Sequence, residues 1–123
     1  MFNLIVSYPK SGNTWVRFIL YELFFKDNSK KTDSRQVEKY IPDFHQVFDF
    51  KKMKLTLDPV LKEKKIFLKT HFSYQQMHMM SIDRVILIVR NPLDVLASLI
   101  NYYDIEKNMI ESAVDDFANN HTL

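Results

Sequence analysis

The chain is 123 residues long and 46% hydrophobic, which suits one domain with a buried core. Its 17 basic and 15 acidic side chains give a net charge of +2, which does not indicate a nucleic-acid binder. The absence of cysteine excludes disulfides and thiolate metal sites. We find neither a signal peptide nor an apolar run long enough to cross a membrane, so we expect a soluble, cytoplasmic protein.

The first half of the chain predicts a strand, a helix and a long irregular region. Asn3 to Tyr8 is a short apolar run that ends in a turn, which is typical of a buried strand. Large apolar side chains recur at helical spacing from Thr14 to Phe25, and Thr14 is a candidate N-cap for that helix. Gln36 to Pro59 is weakly patterned, so we predict loops with short helices there.

The second half predicts two more strands and two helices. Ile66 to Leu68 is a short strand, and Arg84 to Val89 is apolar on both faces, which suits a central parallel strand covered by helices. Pro92 suits the first turn of a helix that runs to about Tyr103, and Met109 to Phe117 has the spacing of an amphipathic helix. This order predicts an α/β fold with a P-loop-type parallel sheet flanked by helices.

Three polar segments follow the predicted strands and should therefore meet at one edge of the sheet. They are Lys10-Ser11-Gly12, Lys69-Thr70-His71 and Arg90-Asn91-Pro92. Gly12 is the one glycine in the chain, and glycine permits a left-handed backbone and a close approach to a ligand. A helix follows it, whose free N–H groups and dipole favour an anion. The three segments together predict an anion site with a titratable base.

Each of these side chains also has a structural interpretation when it is taken alone. Lys10 is then a solvated surface lysine, Arg90 belongs to a structural ion pair, and His71 is a polar residue with satisfied hydrogen bonds. Trp15, which follows the first segment, is then an anchor of the core. Their shared position at one sheet edge is what favours a functional site.

The three segments resemble motifs of the cytosolic-type sulfotransferases. Tyr8-Pro9-Lys10-Ser11-Gly12-Asn13-Thr14-Trp15 resembles the family's 5′-phosphosulfate loop, usually written Y-P-K-S-G-T-T-W. Lys69-Thr70-His71 resembles its K-T-H segment, and Arg90 to Ser98 resembles its 3′-phosphate segment, R-N-P-x-D-x-x-x-S. The matches come in the family's order, and the resemblance spans Val6 to Tyr103.

The resemblance implies transfer of a sulfuryl group from 3′-phosphoadenosine 5′-phosphosulfate (PAPS) to the hydroxyl or amine of a small-molecule or carbohydrate acceptor, with no metal. His71 would be the general base, Lys10 would neutralise the leaving group, and Lys69 would steady the sulfuryl oxygens. The implied donor-binding residues are Lys10, Ser11, Gly12, Asn13 and Thr14 at the 5′-phosphate, Trp15 on adenine, and Arg90 with Ser98 at the 3′-phosphate.

The sequence departs from the family pattern at one residue of the loop motif and in its length. Asn13 stands where threonine is commoner. Family members usually run to roughly twice this length, within the range of single domains, and carry a late R-K-G-type loop that has no match here. We therefore expect residues 1–123 to be a single, partial sulfotransferase domain. Its donor site should be open on the adenine and 3′-phosphate side, which would weaken donor affinity, and its uncovered apolar surface should invite association.

Two other functions stay open at this point. One is a catalytically inactive nucleotide-binding fragment, or a half-domain that needs a partner. The other is a P-loop nucleotide kinase, which is disfavoured because Lys10 precedes Gly12, opposite to the order G-x-x-x-x-G-K-[ST]. The acceptor is not readable, and Gln36 to Leu61 is the segment where we expect that information.

Overall fold

The computed structural model describes residues 2–27, 29, 31–49, 54–55, 65–71 and 82–120. They fall into two compact units, within 1–88 and within 89–123. In chain order the first unit contains β1 (Phe2–Ser7), α1 (Asn13–Phe24), α2 (Ser34–Tyr40), α3 (Phe44–Val47), β2 (Phe48–Asp49), β3 (Lys54–Leu55), β4 (Ile66–Thr70) and β5 (Arg84–Ile88). The second contains α4 (Pro92–Tyr102), a 3-10 turn (Lys107–Met109) and α5 (Ile110–Asn120).

The first unit is built on a parallel sheet with the strand order β4-β1-β5. Val6 lies opposite Thr70 on one side of β1, and Ser7 lies opposite Ile88 on the other. The carboxyl ends of the three strands therefore meet at one edge, as the sequence predicts. The α/β fold with a parallel sheet flanked by helices is confirmed.

The core of the first unit occupies both faces of β1, because successive side chains of a strand point to opposite faces. Leu4 and Ile5 are both fully buried. Leu4 packs in a cluster that α3 completes, with Phe44, Val47, Phe48, Ile66 and Leu68. Ile5 packs in a second cluster, towards α1 and α2, with Tyr21, Val37, Ile41 and Phe67.

The prediction that residues 84–89 form a central, covered strand is wrong for the sheet that the described residues form. β1 takes the central position and β5 lies at the edge. Val85 and Leu87 on β5 are 56% and 65% exposed, whereas Ile86 and Ile88 pack on the cluster around Ile5. An apolar pattern predicts that a strand is hydrophobic on both faces, but it does not specify the strand's neighbours. Association through this exposed apolar surface stays a prediction.

Two short helices occupy the region predicted as loops with short helices. Asp33 caps α2 and accepts a hydrogen bond from the backbone of Gln36 at 2.9 Å, and Asp43 caps α3. The two-residue strands β2 and β3 then pair antiparallel, which the sequence did not lead us to expect. Phe72 and Ser73, which follow the K-T-H segment, lie outside the described residues.

The second unit has the two helices that the sequence predicts. Asn91 caps α4 by accepting a hydrogen bond from the N–H of Leu93 at 2.9 Å, and Pro92 is its first residue. α5 covers the predicted amphipathic segment from Ile110 onwards. Across the described ranges, we find no helix with the length and apolar character needed to span a membrane.

Candidate functional site

The loop between β1 and α1 has a backbone that few residues adopt. The N–H of Ser11 donates to the carbonyl of Tyr8 at 3.2 Å and closes a turn. Lys10 and Gly12 have φ angles of 65° and 103°, in the left-handed region that side chains with a Cβ disfavour. Gly12 adopts this conformation at little cost because it has no Cβ, whereas Lys10 has a Cβ and is strained there. A lysine held in this conformation is the kind of local strain that clusters at ligand sites.

Helix α1 presents an uncapped N-terminus to this loop. Its cap residue is Gly12, which has no side chain to accept a hydrogen bond, and its first turn holds no acidic residue. The first helical bond runs from the N–H of Val16 to the carbonyl of Gly12 at 3.3 Å. The N–H groups of the residues before Val16 therefore have no carbonyl partner within the helix. The proposed Thr14 cap is wrong, because the helix begins one residue earlier, at Asn13.

We expect Gly12→Ala to lower the free energy of unfolding by about 1–2 kcal/mol. An added Cβ would meet no atom within 4 Å, so the cost comes from the φ angle of +103° and not from a clash. Gly12→Asn should cost less, because asparagine tolerates the left-handed region better than alanine. Urea unfolding of the three proteins measures both values. Equal stability of the alanine variant and the wild type would show that the loop does not hold this angle in solution.

The hydrogen bonds of His71 identify its basic nitrogen. Nδ1 lies 2.7 Å from the carbonyl oxygen of Ser7. Since a carbonyl can only accept, Nδ1 carries the proton and donates it, which leaves the lone pair of the neutral ring on Nε2. The side chain of Ser7 lies 3.4 Å from the same Nδ1. Ser7 therefore fixes both the ring and its tautomer.

Ser7 also joins His71 to the loop of Lys10 and Gly12. The amide Nδ2 of Asn13 donates to the Ser7 hydroxyl at 3.0 Å, and both residues are buried. Asn13 is the first residue of α1. The base and the uncapped helix N-terminus are thus connected through two buried polar side chains.

The surroundings of His71 keep its ring neutral at physiological pH. Partial burial lowers the pKa of His71, and the neighbouring charges of Lys69 and His45 lower it further. The hydrogen bond to the Ser7 backbone and the carboxylate of Asp43 raise it, but the net direction is downward. His71 follows the last residue of β4, and although its ring nitrogen Nδ1 is partly buried against Ser7, the residue as a whole is accessible to solvent. The neutral ring is therefore accessible from solvent.

Lys69 lies inside β4 and not after it, because the strand extends two residues beyond the predicted Leu68. Its ammonium forms an ion pair with Asp43, and the two side chains are only 16% and 21% exposed. Burial raises the pKa of Asp43, but hydrogen bonds from Lys69 and from the backbone of His45 outweigh it and hold the pKa below its usual range. Asp43 is therefore ionised at neutral pH.

The remaining predicted residues are placed as follows. Trp15 is 78% exposed, so the interpretation of Trp15 as an anchor of the core is wrong. Ser11 is buried and Thr14 is exposed. Arg90 and Ser98 belong to the second unit; Arg90 is exposed, and Ser98 is partly buried within α4. Ser7 accepts hydrogen bonds from Asn13, next to the first segment, and from His71, in the second segment. These two segments are therefore connected.

Sequence reasoning missed three residues that support the site: Ser7, Asp43 and Arg17. Ser7 is a polar residue at the end of an apolar strand, which is a detectable signal. Asp43 directly precedes an apolar segment, so the sequence predicts an N-cap at Asp43. It does not predict the ion pair with Lys69. Nothing in the sequence pairs Arg17 with the carbonyl of Ile41, to which it donates two hydrogen bonds.

Comparison with known proteins assigns the family. No curated protein matches the chain significantly. The sulfotransferase domain family matches residues 3–123, nearly the whole sequence. That range includes all three motif segments, helix α1 and His71. The chain belongs to the sulfotransferase domain family.

Proposed function

We propose that this protein transfers a sulfuryl group from PAPS to the hydroxyl or amine of a small-molecule or carbohydrate acceptor. Family membership supports sulfuryl transfer in general. The observation that carries the proposal is the connection from the uncapped N-terminus of α1, through Asn13 and Ser7, to the Nδ1 of His71. An anion subsite and a neutral base are thereby built into one framework.

The residues of the loop fit a nucleotide phosphate. Free N–H groups and the positive end of a helix dipole favour an anion. Gly12 has no Cβ and the space beside it is open, so an anion can approach the backbone there. We assign the 5′-phosphate to Lys10, Ser11, Gly12, Asn13 and Thr14. The exposed ring of Trp15 would stack on adenine, and Arg90 with Ser98 would hold the 3′-phosphate, for which a guanidinium offers a bidentate fork.

PAPS, when bound, supplies a sulfuryl group already attached to a good leaving group. His71 would take the acceptor's proton at Nε2, while the Ser7 carbonyl holds Nδ1–H and stabilises the imidazolium that forms. Lys69 would donate to the sulfuryl oxygens. Lys10 would neutralise the charge that develops on the departing phosphate oxygen as its bond to sulfur breaks. Such transfer depends on positioning and charge stabilisation more than on covalent chemistry with the protein.

Calorimetric titration with adenosine 3′,5′-bisphosphate and with AMP tests the donor assignment. We expect a clear preference for the bisphosphate, and we expect Arg90→Ala to weaken bisphosphate binding by about 10- to 100-fold, the value of a charge-assisted hydrogen bond. AMP affinity should not change, because AMP lacks the 3′-phosphate. Arg35→Ala, which removes an exposed arginine from α2, is the matched control. Equal affinity for both ligands, or no binding to a folded sample, would contradict the assignment.

A further inference from the structure

Asp43 is a carboxylate beside the proposed sulfuryl subsite that the three motif segments do not include. Its backbone forms an isolated parallel bridge with Lys69, and the N–H of Lys69 donates to the carbonyl of Pro42 at 2.9 Å. The segment 41–43 therefore runs along the end of β4. This places Asp43 next to Lys69 through the backbone before the side chains are considered.

Both oxygens of the Asp43 carboxylate are engaged. Oδ1 accepts from the N–H of His45 at 3.1 Å and caps α3, and Oδ2 forms the ion pair with the Nζ of Lys69. One side chain thus fixes the start of a helix and the position of an ammonium. Its own orientation is set at two points, which leaves little rotational freedom.

The segment that carries Asp43 is itself anchored to α1. Arg17 donates from Nε and Nη2 to the carbonyl of Ile41, at 2.9 and 2.6 Å, and both Ile41 and Pro42 are buried. Arg17 lies one turn along α1 from Asn13. The helix that presents the anion subsite and the segment that holds Lys69 are therefore tied together, which is how rigid sites are supported.

We propose that Asp43 is the positioning residue for Lys69 in sulfuryl transfer, and this proposal rests on the function proposed above. A free lysine has a flexible stem, and fixing it costs conformational entropy. The contact with Asp43 meets that cost before the donor binds. An ammonium has three N–H donors, so pairing with Asp43 leaves Lys69 able to donate to sulfuryl oxygens as well.

A purely structural ion pair makes a different prediction. Breaking a half-buried pair by removing one partner lowers stability, whatever the pair does in catalysis. If Asp43 acts through Lys69 on the reaction, its removal must also lower kcat in protein that is still folded. The two effects separate when stability and turnover are measured on the same variants.

Asp43→Asn is the sharpest change, because asparagine keeps the size of the side chain and its ability to cap a helix. We expect kcat to fall by up to about 100-fold, the scale of a misplaced catalytic group, with unchanged affinity for adenosine 3′,5′-bisphosphate. The assay uses PAPS and an acceptor from a panel of phenols, alcohols, amines and sugars. Asp33→Asn, which alters the equivalent cap of α2, is the matched control and should keep wild-type kcat.

The double variant Asp43→Asn/Lys69→Met tests whether Asp43 acts through Lys69. We expect its kcat to equal that of Lys69→Met alone, because residues that act as a unit are not additive. A further loss beyond Lys69→Met would overturn the proposal. This comparison also serves if Asp43→Asn alone does not fold, since the double variant leaves no unpaired charge.

The titration of His71, followed by NMR of its ring, gives a readout that needs no acceptor. The groups that act on the ring are the Ser7 carbonyl, Lys69, Asp43 and His45. The Asp43 carboxylate raises the pKa of His71, whereas Lys69 and His45 lower it. The pKa of His71 should therefore fall further in Asp43→Asn, and the acid limb of kcat/KM, which reports the free enzyme, should move with it. An unshifted titration together with wild-type kcat would overturn the role of Asp43. A wild-type protein with no turnover on any acceptor would instead contradict the proposed function.

Discussion

His71→Ala is expected to lower kcat by about 10²–10⁴-fold, the usual contribution of a general base, while the affinity for adenosine 3′,5′-bisphosphate stays unchanged. The reason is the geometry of the ring: Nδ1 is committed to the Ser7 carbonyl, so Nε2 carries the lone pair and has no substitute in alanine. Steady-state kinetics with PAPS and calorimetry with the bisphosphate measure the two quantities on the same preparations.

His71→Asn separates the loss of the base from the loss of the hydrogen bond. Its amide can still donate to the Ser7 carbonyl, but it cannot take a proton, so we expect the same loss of kcat with less loss of stability. His45→Gln removes an exposed histidine from α3 and should keep turnover. A nucleotide-binding protein without catalysis would behave alike in all three variants, since it has no turnover to lose.

The pH dependence of the wild type follows from the same residue. The base must be neutral to accept a proton, and burial lowers the pKa of His71 below 6.5, its usual value. The value of kcat/KM, which reports the free enzyme, should therefore rise with pH through a value below 6.5 and be constant above it. His71→Asn should have no such limb. An acid limb that persists in His71→Asn would assign the base to another group.

The helices and strands that the sequence predicts are those with a recognisable local pattern of apolar residues. The helical spacing before Phe25 and after Pro92 predicts α1 and α4, and β1 and β5 are continuous apolar runs. The loop motif predicts the left-handed Gly12, because glycine adopts that region at little cost. These features depend on residues close together in the chain, which is why local patterns suffice.

The contacts that hold the site depend on residues far apart in the chain. Ser7 and His71 are 64 positions apart, and Asp43 and Lys69 are 26 apart. Their meeting follows from the register of β1 against β4 and from the course of the segment after α2. No local pattern specifies a register, and a shift by one residue would turn each side chain to the other face. The prediction for β5 was wrong for a related reason: an apolar pattern does not specify which strands lie beside it, and β5 lies at the edge of the sheet.

Lys10→Asn is expected to lower kcat by about 10²–10³-fold, the cost of removing one group that stabilises developing charge, without lowering the free energy of unfolding. Lys10 has a φ angle of 65°, and asparagine is among the side chains that tolerate this region best. The variant therefore keeps the loop backbone and removes the ammonium. Lys26→Asn removes an equal charge from an exposed i,i+4 pair with Glu22 and should have wild-type kcat.

The comparison of kcat with binding decides what the loop lysine does. Charge develops on the bridging oxygen only as its bond to sulfur breaks, so an ammonium placed there acts more strongly in the transition state than in the bound ground state. Lys10→Asn should therefore lower kcat by a larger factor than it lowers affinity for adenosine 3′,5′-bisphosphate. Equal factors would mean that Lys10 only binds the donor, and an unchanged kcat would place the neutralising charge elsewhere. If Lys10→Asn changed neither kcat nor the affinity for the bisphosphate, the strained backbone at Lys10 would have no role in this function.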